Sequence, residues 1–314
     1  MYSIGVDLGG TNIAVGLVDE QGNILHKDST PTQVGKPYEE ILGNMGRLIL
    51  KVIEDAGKTP DDVEFIGVGS PGVADMKKGE IVFANNLYWF HVPVRAELQK
   101  YLDKPVYINN DANVAALAEA MAGAAKGTQN SVTLTLGTGV GGGIIINGKL
   151  IAGSHNVGAE IGHMIVEVDG LQCNCKNKGC LERYTSATAL VREGRKVAFD
   201  YPDSPIAVKA GGYEKVTAKI VIDCAKEGDY FARDIFNKYV HYLSTAIINV
   251  INILDPEVIC IGGGVAAAGD FLLDAVKAEV SKSLFYDELP YADIVFAQMG
   301  NDAGIVGAAM PGRI

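Results

Sequence analysis

Two stretches of this 314-residue chain share one layout, and any fold must accommodate both. Residues 2–19, YSIGVDLGGTNIAVGLVD, read as strand, glycine turn, strand. Ile4, Val6 and Leu8 fall on one face, Gly9 and Gly10 make the turn, and Ile13, Val15 and Leu17 form the next strand. Residues 131–147, SVTLTLGTGVGGGIIIN, repeat the pattern. Val132, Leu134 and Leu136 alternate with threonines, the turn carries Gly137, Gly139, Gly141, Gly142 and Gly143, and Ile144 to Ile146 are β-branched. Two such hairpins, each opening one half of the chain, predict an internal duplication.

A turn free of Cβ atoms can press its N–H groups against an anion. In DLGGTN the backbone of Gly9, Gly10 and Thr11, with Asn12 following, is expected to hold ATP phosphates, with Asp7 near Mg²⁺, directly or through water. Alone, the segment would equally suit an ordinary hairpin with an aspartate beside its turn. The second glycine turn favours the phosphate reading.

Between 163 and 182 the residue types change. His163 precedes Cys173, Cys175 and Cys180 in a Cys-x-Cys-x4-Cys spacing. Three soft thiolates and one imidazole form a tetrahedral zinc set, with buried thiols as the bland alternative. Four protein donors leave no open position, so this zinc is expected to be structural, fixing a loop that holds His163 and Glu182. Cys224 and Cys260 lie in apolar contexts and are expected to be buried free thiols.

Residues 37–56 carry Ile41, Leu42, Met45, Leu48, Ile49 and Val52 at helical spacing, and 229–253 repeat this with Phe231, Ile235, Phe236, Tyr239, Leu243, Ile247, Val250 and Ile251. Strands are predicted at 21–31, 63–69, 105–111 and 257–261, shorter helices at 183–198 and 215–226, a loop at 201–213, and a last helix from about Ala303. Trp89 and Phe90 are expected in the core. Asp111 stands where a strand gives way to the helix ANVAALAEAMAG. A helix N-cap and a general base are both open to it. A helix N-terminus stabilises a carboxylate and weakens it as a base, but phosphoryl transfer rests mainly on positioning, and the proton can move late.

LGTGVGGGIIINGKLIAGSHNVGAEIGH and CNCKNKGCLE resemble the signature and zinc loop of the ROK family (repressors, open reading frames, sugar kinases), and the chain is closest to its bacterial glucokinases. The likeness covers nearly the whole chain. One departure stands out: the family's loop usually has Gly after the second Cys, and here the residue is Lys176. The paired hairpins also resemble the actin-like ATPase superfamily. The resemblance therefore implies a duplicated, ribonuclease-H-like α/β fold of two lobes with nucleotide in the cleft between them. The small lobe is expected over 1–110 plus about 300–314, and the large lobe over 111–299.

The resemblance also distributes roles. INNDANVAALAE looks like the family's catalytic segment, which makes Asp111 the general base that takes the proton from the attacking sugar hydroxyl, with Asn110 on a neighbouring hydroxyl. Gly69 and the SPG segment border the sugar, and Asn86 contacts it. Glu160 accepts from two adjacent hydroxyls, while His163 and Glu182 complete the sugar set. Thr138 and Gly139 join the phosphate site, and Gly263 and Gly264 form the adenosine turn. The activity implied is ATP-dependent phosphorylation of glucose. Other hexoses or N-acetylhexosamines (N-acetylmannosamine, N-acetylglucosamine, fructose, mannose) stay open, and a sugar-responsive regulator is a third class. With the first strand beginning near Ser3, no room is expected for the regulator's DNA-binding helices. A homodimer or tetramer is the family precedent.

The net charge of −11 and the lack of a long basic run argue against nucleic acid as the main partner. No apolar run reaches about 18 residues, and MYSIGVDLGG lacks a basic leader and cleavage site. A reducing cytoplasm is the expected location.

Overall fold

The structure, a computed structural model, describes residues 1–286 and 288–310. The last four residues of the 300–314 stretch assigned above to the small lobe lie outside them.

The chain opens with β1 (Tyr2–Leu8), β2 (Asn12–Val18) and β3 (Ile24–Pro31), then α1 (Tyr38–Asp55) and β4 (Val63–Ser70). A small sheet follows, made of β5 (Val73–Asp75), β6 (Glu80–Ala84) and β7 (Trp89–Val92). Then come α2 (Val94–Leu98), β8 (Val106–Asn110) and α3 (Asp111–Ala122). The second half opens with β9 (Ser131–Leu136), β10 (Val140–Ile146) and β11 (Lys149–Leu150), and continues through α4 (Glu182–Thr185), α5 (Ala187–Asp200), α6 (Pro205–Ala210), α7 (Ala218–Lys226) and α8 (Tyr230–Leu254). It ends with β12 (Val258–Gly262), α9 (Asp270–Val280), β13 (Asp293–Phe296) and α10 (Ala303–Ala308).

The duplication is explicit in the sheets. One is ordered β3-β2-β1-β4-β8 and the other β11-β10-β9-β12-β13, so the strands correspond place for place. In the first, β1 runs antiparallel to β2 and parallel to β4, and β4 runs parallel to β8. In the second, β10 and β11 are antiparallel and β12 and β13 parallel. This is the duplicated α/β architecture of the actin-like ATPases.

Two compact units emerge from the contacts. The first comprises Met1–Thr133, Gly143–Ala159 and the chain from Ala297 onward; the second comprises Leu134–Gly142 and Glu160–Phe296. The sequence reading instead broke the chain at 110. The stretch 111–133 lies in the first unit because α3 packs on α10 there.

In the first unit, α1 lays Ile41, Leu42, Met45, Ile49 and Val52 against Ile4, Val6, Ile13, Val15 and Ile66 in one continuous core. Central strands covered on both faces read as unbroken apolar runs. Glycine lets α10 come closer than side chains would permit. A Cβ on Gly5 or Gly67 would run into the carbonyl oxygens of Ile305 and Ala308, and one on Gly307 would strike that of Val114. Beside this contact lies Glu119, 1 % exposed. Its Oε2 accepts from the N–H groups of Ala124 (2.8 Å) and Gln298 (3.0 Å), and its Oε1 from that of Met299 (2.8 Å). The carboxylate thus ties α3 to the segment that leads into α10. Glu119→Ala would orphan three N–H groups, so unfolding in denaturant is expected to lose about 3 kcal/mol, with Glu119→Gln recovering part of it.

Two expectations need correction. Trp89 is buried (4 % exposed), but Phe90 is 68 % exposed. Neighbours on a strand point to opposite faces, and Phe90 covers its cross-strand partner Phe83 on the outer face, with ring centroids 5.1 Å apart. The loop at 201–213 contains α6. Ser204 accepts from the N–H of Ala207 (3.3 Å), Pro205 opens the first turn, and Gly211 closes it at φ 67°. After the glycines at 262–264 the chain makes a 3₁₀ segment, Gly264–Ala268, before α9 begins.

Candidate active site

In the first unit, the turn between β1 and β2 closes with the Gly9 N–H donating to Asn12 O (2.9 Å). Thr32, fully buried, holds it from behind: its hydroxyl donates to Gly9 O (2.7 Å) and its N–H to Thr11 O (2.8 Å). Gly10, Thr11 and Asn12 remain exposed at the tip. Asn86, also exposed, lies in the 3₁₀ turn Asn85–Leu87, with its Cβ 3.8 Å from where a side chain on Gly10 would begin.

Asp7 is half-buried at the end of β1, and burial pushes its carboxyl above the usual carboxylate range. Helix α10 closes on it so tightly that a Cβ on Gly304 would overlap the carboxylate. No cationic side chain pairs with it among the described residues. A desolvated carboxylate without a cation suits a divalent ion shared with phosphate oxygens.

The β8–α3 junction gives the helix cap to the residue before Asp111. The N-cap is Asn110, whose Oδ1 accepts from the N–H groups of Ala112 (2.9 Å) and Asn113 (3.4 Å). Asn110 Nδ2 donates to Gly72 O (3.0 Å), so the same side chain anchors the Ser-Pro-Gly turn. One amide hydrogen of Asn110 is left for a ligand. Asp111 is the first helical residue, exposed, with its Oδ1 accepting from the Ala112 N–H at 2.8 Å. Gly69 is buried in β4, where a Cβ would meet Val114 Cγ2 at 2.6 Å; its missing side chain admits α3.

In the second unit, the glycine turn after β9 closes with the Gly137 N–H donating to Gly139 O (2.9 Å), and Thr138 is exposed at its tip. Glu182 Oε2 accepts from the Val140 N–H (3.0 Å). Gly263, at φ 83°, crosses the backbone of Leu136 with no room for a Cβ, while Gly264 faces open space. Glu160 is exposed and precedes the 3₁₀ turn Ile161–His163.

That turn delivers His163 to the cysteines. One ligand atom each from His163, Cys173, Cys175 and Cys180 lie within 4.8 Å of one another, with Cys173 Sγ 3.8 Å from His163 Nδ1 and Cys175 Sγ 3.5 Å from Cys180 Sγ. The sulfurs are too far apart for disulfides, and all five cysteines are free, with Cys224 and Cys260 buried as expected. Burial and the neighbouring thiols push the Cys180 thiol up to about 12. Thiolates crowded like this require a cation, so the donor set fits zinc or a similar soft divalent ion.

Lys176 takes φ 78°, the left-handed conformation that glycine adopts freely. A lysine in that conformation carries local strain. Lys176→Gly is expected to leave the bound-metal content unchanged and to raise the thermal midpoint by about 2 °C, whereas Lys176→Val should lower it.

Thr32 was missed from sequence. A lone threonine gives no sign that it reaches back 23 positions to brace the first turn.

The ROK family's sequence profile matches residues 3–311. A glucokinase from Thermotoga maritima is 39 % identical over 307 residues, covering 98 % of this chain and 95 % of its own. Among solved structures, a ROK family glucokinase from Streptomyces griseus in complex with glucose and AMPPNP superposes with a TM-score of 0.82 at 36 % identity, covering 98 % of both chains. A ROK hexokinase from Thermus thermophilus gives 0.85 at 29 % identity, over 99 % of this chain and 97 % of its own.

Proposed function

The chain belongs to the ROK family, and on that premise we propose that it transfers the γ-phosphoryl group of ATP to glucose, forming glucose 6-phosphate. The observation that carries the reading is Asp111, an exposed carboxylate in the first turn of α3, in a chain that also holds two glycine turns at corresponding places in its two sheets.

In this reading Asp111 accepts the proton of the attacking hydroxyl as the phosphoryl group arrives. The spare amide hydrogen of Asn110, the side chain of Asn86 and the backbone near Gly69 bind and orient the sugar. Glu160 accepts from adjacent hydroxyls, His163 offers its second ring nitrogen, and Glu182 offers its second oxygen. A missing hydroxyl would leave these groups unpaired, which is how such a set discriminates. Gly9, Gly10, Thr11 and Asn12 hold phosphate oxygens, as do Thr138 and Gly139, and Gly263 and Gly264 lie along the adenosine. Mg²⁺ bound at Asp7 would neutralise charge on the transferred group. Zinc held by His163, Cys173, Cys175 and Cys180 would supply structure, its four positions filled by protein.

No helix among the described residues is long and apolar enough to cross a membrane. Five free cysteines support a reducing cytoplasm as the working compartment, and a homo-oligomer is the expected assembly.

The test is ADP release with Mg·ATP and glucose, mannose, fructose, N-acetylglucosamine or N-acetylmannosamine, with a no-sugar control. Glucose-dependent turnover above the other sugars supports the proposal. Preferred turnover of an N-acetyl sugar would keep the kinase and reject glucose. Turnover on none of the five would overturn the reading.

A further inference from the structure

We propose that Glu182 is a positioning residue for the glycine turn at 137–140, and that through it the metal loop shapes the backbone that holds nucleotide phosphate. The inference deepens the kinase reading and rests on its assignment of this turn to ATP.

The chain leaves the metal cluster at Cys180 and meets the turn within eight residues. Cys180 and Leu181 are fully buried, so the exit is fixed. Glu182 then accepts from the Val140 N–H through Oε2 (3.0 Å). Gly139 lies against the same carboxylate, where a Cβ would collide with Oε2. Further on, the Ala187 N–H donates to Gly137 O (2.8 Å), and the Thr188 hydroxyl donates to Thr138 O (2.7 Å). Each of the four residues of the turn therefore touches the segment that follows the last cysteine. With Gly137 O, Thr138 O and the Val140 N–H occupied from that side, the exposed tip is held in one conformation. A glycine-rich turn needs such bracing, since its backbone has the most freedom to lose on ordering. The acidic residue is well chosen: an N–H bonded to a carboxylate makes a stronger tie than one bonded to a neutral acceptor.

The two roles now given to Glu182 separate chemically. Bracing needs only an acceptor at the Oε2 position, which a glutamine carbonyl supplies. A sugar contact draws on the other oxygen and on the negative charge, which glutamine lacks.

The experiment compares metal-loaded wild type with Glu182→Gln, Glu182→Ala and Thr188→Val. Mg·ADP binding without sugar and glucose binding without nucleotide are measured by calorimetry, and hydrogen exchange is followed in a peptide spanning 137–140. Glu182→Ala is expected to weaken Mg·ADP about tenfold and to speed exchange at Val140 by at least as much, whereas Glu182→Gln stays within about threefold of wild type in both. Thr188→Val should weaken Mg·ADP about threefold and leave glucose binding unchanged. If Glu182→Ala proves poorly folded, Thr188→Val decides by the same nucleotide-against-glucose contrast. Wild-type Mg·ADP affinity and exchange in Glu182→Ala, or an equal nucleotide loss in Gln and Ala, would overturn the proposal. Fast exchange in Glu182→Ala with no Mg·ADP binding even in wild type would overturn the assignment of the turn to ATP, and with it the nucleotide half of the inference.

Discussion

Asp111→Asn is expected to lower kcat for glucose phosphorylation by roughly 10³-fold, within the span ascribed to a positioned general base. The substitution is nearly isosteric. Asn110, not Asp111, caps α3, so the helix keeps its N-terminal bonds. The side-chain oxygen that accepts from the Ala112 N–H also survives in asparagine. What disappears is the charge near the helix N-terminus, about 0.3–1 kcal/mol of stability, and the capacity to take a proton. The thermal midpoint should thus fall by no more than about 2 °C, and KM for ATP should stay within about threefold while kcat collapses. Loss is not total, because phosphoryl transfer relies first on positioning and charge stabilisation, with little covalent work for the protein. Steady-state kinetics and a thermal scan on one preparation suffice. A variant with more than a tenth of wild-type kcat would remove Asp111 from the base role and return it to a structural one.

The duplicated fold could be read from the sequence because strand periodicity and Cβ-free turns are local, and both hairpins carried them. The same holds for α1, whose apolar stripe from Ile41 to Ile53 spans more than three turns, and for the metal set, where residue type alone limits the chemistry. What escaped depended on partners far along the chain. Glu119 looks like any helix glutamate until Gln298, 179 positions later, donates to it. Thr188 finds the carbonyl of Thr138 across 50 positions. The sequence offered Asp111 as the cap of α3, but Asn110 caps it; a one-residue difference in where the helix begins separates the two, and both residue types serve. Phe90 failed for the opposite reason. It sits beside a buried tryptophan, but a two-residue period sends the pair to opposite faces, and only one face of that small sheet is covered. Six-residue α6 was too short to show a helical period, although its Ser-Pro start and Gly stop were in view.

Stripping the metal is the second large effect expected. The loop from 164 to 181 has little core of its own: Ile165 is 53 % exposed, Val168 81 % and Leu171 40 %. It holds no strand ladder: the isolated bridges Ile165 with Cys180 and Gln172 with Lys178 are joined only by turn-like backbone bonds such as Cys173 N–H to Asn177 O. A segment that buries so little apolar surface cannot offset its ordering entropy without a cross-link, and the four-donor cluster is placed to provide one. At a free zinc concentration a thousandfold above Kd, linkage gives about 4 kcal/mol, so removal of zinc by a chelator should lower the thermal midpoint by roughly 10 °C. Trypsin should then cut first after Lys176 or Lys178, both exposed within the loop, and Cys173→Ser should reproduce this without chelator. Because ligation needs thiolates, zinc content should fall as pH is lowered. Loss of the loop also frees Glu182 from its fixed exit, so nucleotide affinity should decline together with sugar affinity, and both should return when zinc is restored. Equal midpoints and equal trypsin patterns with and without zinc would mean that the loop stands on its own contacts and that the cluster is a set of packed thiols.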